Sequence, residues 1–348
     1  MNRKILKIGN RIVSDKHHPL IIAEIGQTHN GSIEKAFKFI DKIKLAGGDA
    51  VKFQLHIASE ESTLDEPFRV KIKNFKSRYD YWKSVEFTNE EWFKISKYCK
   101  KKKIIFLSSV FSKKGIEILK KAKISAWKVA SGEFNSKYIL DEMINSRLPI
   151  LFSTGMMNLT EIQKIHQKLN NKSANHAILQ CTSNYPVKLQ NTGINVIKEF
   201  RKKFNCQIGY SDHSGSIVPP FMALASNSNL VEVHVKLDTK DKGPDSTSSL
   251  NLIQFKDLCE MRDQVHIINT NPVDKNIISK DLIKMRNLFG KSIALKFDLE
   301  KGSIIKKSDL TMKKPGFGFK ENQIKYIVGR RLIKNVTSKR ILKKKDLL

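Results

Sequence analysis

Two lysines lie inside apolar segments of this sequence, where a charged side chain needs a partner. They are Lys52 in "VKFQ" and Lys128 in "WKVASGE". Ammonium groups ringed by hydroxyl groups suit a phosphate or a carboxylate, and we expect a bound anion to relieve the repulsion between the two lysines. The serines that end the neighbouring apolar segments, and would complete this anion pocket, are Ser109, Ser131, Ser153 and Ser211.

Two histidines end consecutive apolar segments further along the chain. His213 follows "GYSD" and His234 lies in "VEVHVKLD". Two imidazoles at one place can share a divalent transition metal and leave positions open for water and substrate. Glu24, inside "IIAEIGQTHNGS", is either a catalytic acid or a structural acid held by a backbone amide, and we expect it to face an open mouth rather than a packed interior.

Eight short apolar segments alternate with amphipathic helical stretches, mostly at intervals of about 20–30 residues, which is the length of a strand–helix unit. This alternation predicts an α/β fold, a (β/α)8 TIM barrel, with a doubly wound open sheet as the alternative. In a barrel the polar strand ends meet at one mouth. The predicted strands are Leu20–Ile25, Ala50–Gln54, Ile104–Ser109, Ala126–Ser131, Pro149–Ser153, His176–Cys181, Cys206–Ser211 and Leu230–Val235.

The helical stretches between these strands carry readable signals. An apolar face predicted from Ile33, Phe37, Ile40 and Ile43 marks the first helix. Capping boxes are predicted at Thr88 with Glu91 and at Thr160 with Gln163. The connection between residues 55 and 87 is too long for a simple loop, and its length predicts a lid or a substrate wall.

The sequence pattern changes after residue 270. We predict a catalytic barrel over residues 1–270, a linker over 271–285 and a small β-rich domain over 286–348. That last segment holds 18 Lys and Arg against 5 Asp and Glu, a net charge of +13.

The composition limits the possible classes of protein. The chain has 348 residues and a net charge of +30, mostly from lysines along helical stretches. This charge fits solvated helix faces or a polyanion partner, and no aromatic-basic module of a nucleic-acid-binding kind accompanies it. Four well-separated cysteines, no signal peptide and no long apolar run predict a cytoplasmic protein with reduced thiols and no membrane partner.

A set of motifs found in chain order resembles the bacterial sialic acid synthases. The motifs are "IIAEIGQTHNG", "DAVKFQ", "WKVASGE", "STGM", "CTSNYP", "GYSDHS", "VEVHVKLD" and "KGPD". The tail, with "KKPGFGF", resembles the antifreeze-like (SAF) domain of that family. The resemblance implies condensation of phosphoenolpyruvate with an N-acetylated hexosamine to give a nonulosonic acid and phosphate, in a domain-swapped homodimer.

The same resemblance implies roles for individual residues. Lys52, Lys128 and the four serines would hold phosphoenolpyruvate, and the two histidines would bind Mn²⁺ or Mg²⁺. Glu133 would handle a proton near the enol carbon. The residues implied to contact the acceptor sugar, or otherwise to line the substrate site, are Glu24, Gln54, Ser183, Tyr185, Asp245 and, from the tail, Lys314.

Three positions depart from the family pattern and concern the acceptor sugar. Gln180 and Ser246 stand where histidines are usual, and Lys314 stands where an arginine reaches the sugar's N-acyl group. A lysine lacks the planar fork of an arginine. Within this resemblance, N-acetylmannosamine is one candidate acceptor, and the diamino sugars that lead to legionaminic or pseudaminic acid are others.

Two other functions stay open at this point. A Schiff-base aldolase would use one desolvated lysine, Lys52 or Lys128, without a metal. A non-enzymatic polyanion-binding protein would use the net charge of +30, although it would leave the polar strand ends unexplained.

Overall fold

A computed structural model of the chain describes residues 3–70, 72, 75–238 and 243–348, and only the backbone of Phe134. Lys242 of the "KGPD" segment lies outside the described residues. The chain divides into two compact units, Met1–Asn271 and Pro272–Leu348.

The first unit is a closed TIM barrel of eight parallel strands, as the sequence predicts. Consecutive strands pair in chain order, and the last strand pairs with both the seventh and the first. The open-sheet alternative is therefore wrong. After an N-terminal hairpin of Leu6–Ile8 (β1) and Arg11–Val13 (β2), the barrel strands are Leu20–Gly26 (β3), Ala50–Leu55 (β4), Ile105–Val110 (β5), Ala126–Val129 (β6), Ile150–Ser153 (β7), His176–Cys181 (β8), Gln207–Asp212 (β9) and Leu230–Lys236 (β10), with a short strand Ser249–Asn251 (β11) beside β10.

The helices of this unit cover the outside of the barrel, except the second and third, which belong to the long connection after β4. They are Ile33–Leu45 (α1), Ala58–Glu61 (α2), Arg78–Val85 (α3), Asn89–Lys101 (α4), Lys113–Lys121 (α5), Lys137–Asn145 (α6), Leu159–Asn171 (α7), Ile194–Lys203 (α8), Val218–Ala225 (α9) and Leu252–Thr270 (α10). Three short 3₁₀ turns, Ser131–Asn135, Leu189–Asn191 and Ser246–Ser248, complete the connections.

The local predictions are borne out in part. The capping box of Thr88 and Glu91 is present at α4. The one predicted at Thr160 is wrong, because the N-cap of α7 is Asn158, two residues earlier, and the side chains of Asn158 and Glu161 form the box. The predicted strand Ala126–Ser131 stops at Val129, because the chain turns into the 3₁₀ turn that starts at Ser131. In α1 the buried face is Ala36, Phe39, Ile40 and Ile43, so Ile33 and Phe37 lie at its edge.

The inside of the barrel changes from apolar to polar along most of its strands. Small and branched apolar side chains fill its amino-terminal half, and Leu6, Ile8 and Val13 of the hairpin close that end. Two residues further along the same inward faces, charged and hydroxyl side chains take over. Glu24 follows Leu20 and Ile22 in this way.

The long connection after β4 folds into two helices. It contains α2 and α3, and it returns along the carboxyl ends of the strands. Its side chains, together with Tyr185, His234 and Asp245, line a cavity of about 290 Å³. The connection that the sequence predicts to be a lid or a substrate wall therefore forms one wall of this cavity.

The second unit begins inside the segment predicted as a linker. A helix, Lys280–Phe289 (α11), precedes a pair of antiparallel strands, Ser292–Leu295 (β12) and Leu310–Lys313 (β13). Its own apolar core is small. Among the described residues, no helix is both long and apolar enough to cross a membrane.

Candidate active site

The registers of the barrel strands bring the predicted polar residues into neighbouring positions. Glu24 of β3 lies opposite Lys52 of β4, and His234 of β10 lies opposite Glu24 on the other side. Ser109 of β5 lies opposite Lys128 of β6. Each of these residues points inward because it is two or four positions from an inward apolar residue.

Glu24 is fully buried rather than at an open mouth. Its carboxylate forms a salt bridge with Lys52. It also accepts hydrogen bonds from the Gly26 backbone at 2.6 Å and from Gln54 Nε2 at 3.2 Å. The hydrogen bond from the Gly26 backbone is the one expected of a structural acid. The same carboxylate also connects the ammonium group of Lys52 to the side-chain amide of Gln54.

A residue that sequence reasoning missed, Glu232 of β10, lies between the two lysines. Its Oε1 is 3.6 Å from Lys52 Nζ and 3.5 Å from Lys128 Nζ, and the Ser211 hydroxyl donates to it at 3.2 Å. The protein's own carboxylate therefore relieves the repulsion between the lysines, which corrects the expectation that a bound anion does so. Its Oε2 has no hydrogen-bond partner among the described residues.

The two lysines differ in their electrostatic balance. Burial lowers the pKa of Lys52, but Glu232 and Glu24 more than offset this and leave it raised. Burial dominates for Lys128, whose pKa is lowered although Glu232 opposes the shift. Lys52 donates to Ser109 at 3.3 Å, and Lys128 donates to Ser153 at 2.7 Å. For Glu232 itself, burial raises the pKa, and the two lysines outweigh burial and leave it low.

The two predicted metal ligands lie side by side next to this layer. The ring centroids of His213 and His234 are 5.3 Å apart, and Tyr185 packs on His213 at 4.1 Å. His213 Nδ1 is 3.0 Å from the carbonyl oxygen of Thr182, which can only accept, so Nδ1 carries the proton and Nε2 keeps its lone pair. Burial lowers the pKa of both imidazoles, which keeps them in the neutral form that binds metals.

Asp245 joins the histidines to the cavity wall. Its Oδ2 is 3.9 Å from His234 Nδ1, and its Oδ1 is 2.6 Å from a guanidinium nitrogen of Arg69. Gly26, at a φ of +55°, makes room for it, since a Cβ there would lie 3.2 Å from the Asp245 carboxylate.

A second group of polar side chains surrounds Gly155, after β7. The Ser131 hydroxyl accepts from the Gly155 backbone at 3.0 Å. A Cβ at Gly155 would lie 2.3 Å from the Ser183 hydroxyl and 2.9 Å from that of Ser131. Ser183 Oγ has no hydrogen-bond partner among the described residues, so it is free to bind a ligand.

Glu133 lies in the 3₁₀ turn after β6 and is half-buried. Burial raises the pKa of its carboxyl, Ser136 opposes the shift, and Glu61 adds to it. Lys314 belongs to the second unit, where it is exposed and its Nζ lies 5.4 Å from the Phe289 ring centroid.

The cavity of about 290 Å³ is lined mainly by aromatic and apolar side chains and has two arginines. Arg69 pairs with Asp245 and stacks on Tyr185 at 4.4 Å. Arg78 pairs with Glu66 at 3.1 Å. Besides Tyr185, the apolar and aromatic lining residues are Phe68, Val70, Ile72, Tyr81, Trp82, Phe111, Ala130 and Pro244.

At the opposite end of the barrel, three possible metal ligands lie close together among the described residues. They are His166, His176 and Cys206, whose ligand atoms lie within 4.8 Å of one another. Asn170 donates to His166 Nε2 at 2.9 Å, and His166 Nδ1 is 2.9 Å from His176 Nε2. His176 Nδ1 is 2.8 Å from the Ala174 carbonyl. A single set of tautomers satisfies this whole chain of hydrogen bonds, so the cluster needs no metal.

Comparison with known families agrees with this architecture. The NeuB family model matches residues 39–273, and the SAF domain model matches residues 290–348. The chain belongs to the NeuB family. The second unit carries its SAF domain.

The similar proteins extend this comparison. An N,N'-diacetyllegionaminic acid synthase of Legionella pneumophila is 30% identical over 91% of this chain and 91% of its own length. A pseudaminic acid synthase of Campylobacter jejuni is 29% identical over 98% of this chain and 99% of its own. The crystal structure of an N-acetylneuraminic acid synthetase from Leptospira borgpetersenii, in complex with citrate, has 24% identity and a TM-score of 0.72 over 82% of this chain and 98% of its own. It supports the fold.

Proposed function

We propose that this protein condenses phosphoenolpyruvate with an uncharged N-acylated hexosamine to give a nonulosonic acid and inorganic phosphate. One observation carries the proposal above all others. In a chain of the NeuB family, two buried lysines, their carboxylate partners and two neutral imidazoles lie together at the carboxyl ends of the barrel strands.

The anion pocket of the proposal consists of Lys52, Lys128 and the serine hydroxyls beside them. An ammonium group has three donors, and Lys128 uses one on Ser153. The described charges of the layer cancel, since Glu24 and Glu232 balance the two lysines. A highly anionic substrate therefore gains little net attraction from these four groups, and its binding depends on hydrogen bonds and on further positive charge.

His213 and His234 would hold a divalent metal. Both are neutral, and the Thr182 carbonyl fixes the tautomer of His213 with its Nε2 lone pair free. Two imidazoles beside carboxylates favour Mn²⁺ over Mg²⁺. The chemistry such a metal supplies is Lewis-acid polarisation of the aldehyde of the open-chain sugar.

The remaining residues would position the reacting groups and move protons. The enol carbon of phosphoenolpyruvate forms the new carbon–carbon bond with the aldehyde, water adds at the phosphate-bearing carbon, and phosphate leaves by carbon–oxygen cleavage. Glu133, whose raised pKa favours the protonated form, would exchange the proton at this centre. Gln54, Tyr185 and Asp245 would contact the sugar.

The cavity favours an uncharged acceptor over a sugar phosphate. Both of its arginines already have carboxylate partners, Asp245 and Glu66. A phosphate there would compete with these carboxylates, because each pair already balances the positive charge of its arginine. The aromatic lining suits N-acyl methyl groups, so the diamino sugars of the legionaminic or pseudaminic type fit better than a phosphorylated sugar.

The SAF domain would cover the site of the other subunit in a homodimer, with Lys314 near the N-acyl group. This part of the proposal rests on the family resemblance. A mixed dimer of Lys314→Ala and Glu133→Gln chains tests it, because such a dimer contains one site with neither defect. A mixed dimer that is confirmed by mass and regains no activity would refute it.

The experiment that tests the function mixes the purified protein with phosphoenolpyruvate, Mn²⁺ and a panel of hexosamines. The panel holds N-acetylmannosamine, its 6-phosphate and 2,4-diacetamido-trideoxy sugars. Phosphate release and the product mass are measured, with His213→Ala as the inactive control and Lys203→Ala as a surface control. We expect turnover with an uncharged sugar.

Three other outcomes contradict the proposal in different ways. Turnover with only the 6-phosphate would overturn the argument from the arginine pairs. Borohydride inactivation that requires substrate, without a metal, would indicate a Schiff-base aldolase. No turnover together with a salt-dependent gel shift would favour the polyanion-binding function.

A further inference from the structure

A hydrogen-bonded chain runs from the loop after β4 into the buried layer. Glu61 of α2 bonds His56 Nδ1, and His56 Nε2 lies 3.2 Å from Gln54 Oε1. Gln54 Nε2 then donates to Glu24 Oε1 at 3.2 Å, and Glu24 pairs with Lys52. Neither His56 nor Glu61 has a role in the proposed function.

The His56 ring is fixed in its plane by aromatic packing. Trp82 of α3 stacks on it at 4.0 Å and 14°, and Phe111 stacks at 4.4 Å and 10°. Because two rings cannot stack this closely on the same face, Trp82 and Phe111 lie on opposite faces of the His56 ring. The ring cannot rotate to choose other partners, so its two nitrogens keep Glu61 and Gln54.

The direction of every hydrogen bond in the chain follows from chemistry. The Glu24 carboxylate, paired with Lys52, can only accept, so Gln54 must turn its NH₂ towards it. The Gln54 carbonyl then faces His56, and Gln27 Nε2 donates to the same oxygen at 3.4 Å. His56 must therefore carry a proton on Nε2.

The proton on Nε2 requires one more proton on the His56–Glu61 pair. If His56 is neutral, its Nδ1 is a lone pair and Glu61 must donate to it as a carboxylic acid. If Glu61 is ionised, His56 must be an imidazolium. Burial raises the pKa of Glu61 to about 8 and lowers that of His56 to about 3, which favours the neutral pair.

We propose that His56 and Glu61 are positioning residues that hold the Gln54 amide for the acceptor sugar through this one shared proton. When the proton leaves, the one proton that remains on the His56 ring lies on Nδ1, facing the Glu61 carboxylate, and the Nε2 lone pair faces the Gln54 carbonyl. The two acceptors repel each other, and the amide loses its orientation. This inference rests on the proposed function, because it takes Gln54 as a contact of the sugar.

The charged groups around the His56–Glu61 pair set the pH at which the proton leaves. Glu66 and Glu86 favour retention of the proton, and Arg78 opposes it. Glu133 lies near enough to Glu61 to interact with it, and Lys52 lowers the pKa of His56. Because the pKa of Glu61 is raised to about 8, we expect the pair to keep its proton at neutral pH and to lose it as the pH rises through about 8.

The test uses three variants and two Michaelis constants. His56→Phe keeps the aromatic stack and removes both ring nitrogens, so the Michaelis constant for the sugar should rise about 3- to 10-fold, the range of one or two neutral hydrogen bonds. The constant for phosphoenolpyruvate should stay within twofold. Glu61→Ala should behave similarly, whereas Glu61→Gln supplies a permanent N–H donor and should match the wild type at pH 7.

The pH profile distinguishes positioning from packing. In the wild type the Michaelis constant for the sugar should rise above about pH 8, and in Glu61→Gln this rise should be absent. A rise of equal size in both proteins would overturn the inference while the proposed function stands. An unchanged sugar constant in His56→Phe would overturn it as well.

A measurement without turnover keeps this inference separate from the proposed function. Nitrogen-15 labelling of the nine histidines, with His56→Phe to assign the signal, reports which ring nitrogen carries the proton. We expect protonated Nε2 at pH 7 and a change of tautomer above about pH 8. Protonation on Nδ1 alone at pH 7 would overturn the inference even if the protein proved inactive with every sugar.

Discussion

Replacing Glu232 with glutamine should destabilise the barrel and, at the same time, strengthen its binding of small anions. Glutamine has the same shape and can keep the hydrogen bond from Ser211. It removes the negative charge that lies between two buried ammonium groups.

The distances give the size of the effect. At 3.5 Å and an effective dielectric constant of about 20, the attraction between Glu232 and Lys128 is about 5 kcal/mol before desolvation. Breaking a buried pair by removing one partner costs about 3–5 kcal/mol. Because Lys52 keeps its salt bridge with Glu24, we expect the lower end, about 3 kcal/mol.

The assay follows urea unfolding by tryptophan fluorescence. Trp82, Trp92 and Trp127 are the three tryptophans of the chain, and all lie in the barrel unit. Their emission therefore reports the barrel and not the SAF domain. Inorganic phosphate should stabilise Glu232→Gln more than it stabilises the wild type, since the variant has an excess positive charge.

A double variant decides whether the charges interact. Lys128→Met removes the ammonium group that Glu232→Gln leaves without a carboxylate, so combining them should cost about 2 kcal/mol less than the sum of the single changes. Single effects that add to within about 0.5 kcal/mol would refute the reasoning, as would a glutamine variant as stable as the wild type.

Four further outcomes follow from the geometry. Chelator-treated protein should lose activity and regain it with Mn²⁺, and His213→Ala or His234→Ala should stay inactive while phosphoenolpyruvate still binds by calorimetry; full activity in EDTA contradicts the metal role. Gly155→Ala should weaken phosphoenolpyruvate binding at least tenfold, because its Cβ would meet the Ser183 hydroxyl at 2.3 Å; wild-type affinity in titrations would show that this corner is not used. Lys314→Ala should raise the Michaelis constant for the sugar more than that for phosphoenolpyruvate, and equal changes would argue against contact with the sugar. Burial lowers the pKa of His29 to about 3, so its share of stability is complete above pH 6.5 and is lost as the pH falls towards 3; His29→Gln should reduce the slope of unfolding free energy against pH by about 1.4 kcal/mol per unit between pH 6 and 4, and an unchanged slope would contradict this.

The sequence alone determined the fold and identified most of the polar residues of the candidate site. Strand and helix periods are local properties, so eight alternating units predicted the barrel, and polar residues at strand ends indicated its mouth. Glu232 was within reach of the same reasoning. It lies two residues before His234 and shares its face, but it stands in the middle of β10 and not at the end, so a pattern of polar strand ends does not include it.

Tertiary structure decided which charges meet. Closure of the barrel through β10 places Glu232 between Lys52 and Lys128, which come from distant parts of the chain, and no local pattern encodes that distance. Likewise, the segments "QLH" and "EES" contain no recognisable motif. Only the tertiary structure shows that Trp82 and Phe111 stack on the His56 ring and fix its orientation. A sequence fixes which side chains are available and which way each strand faces, whereas long-range packing sets the separations on which Coulomb energies and hydrogen bonds depend.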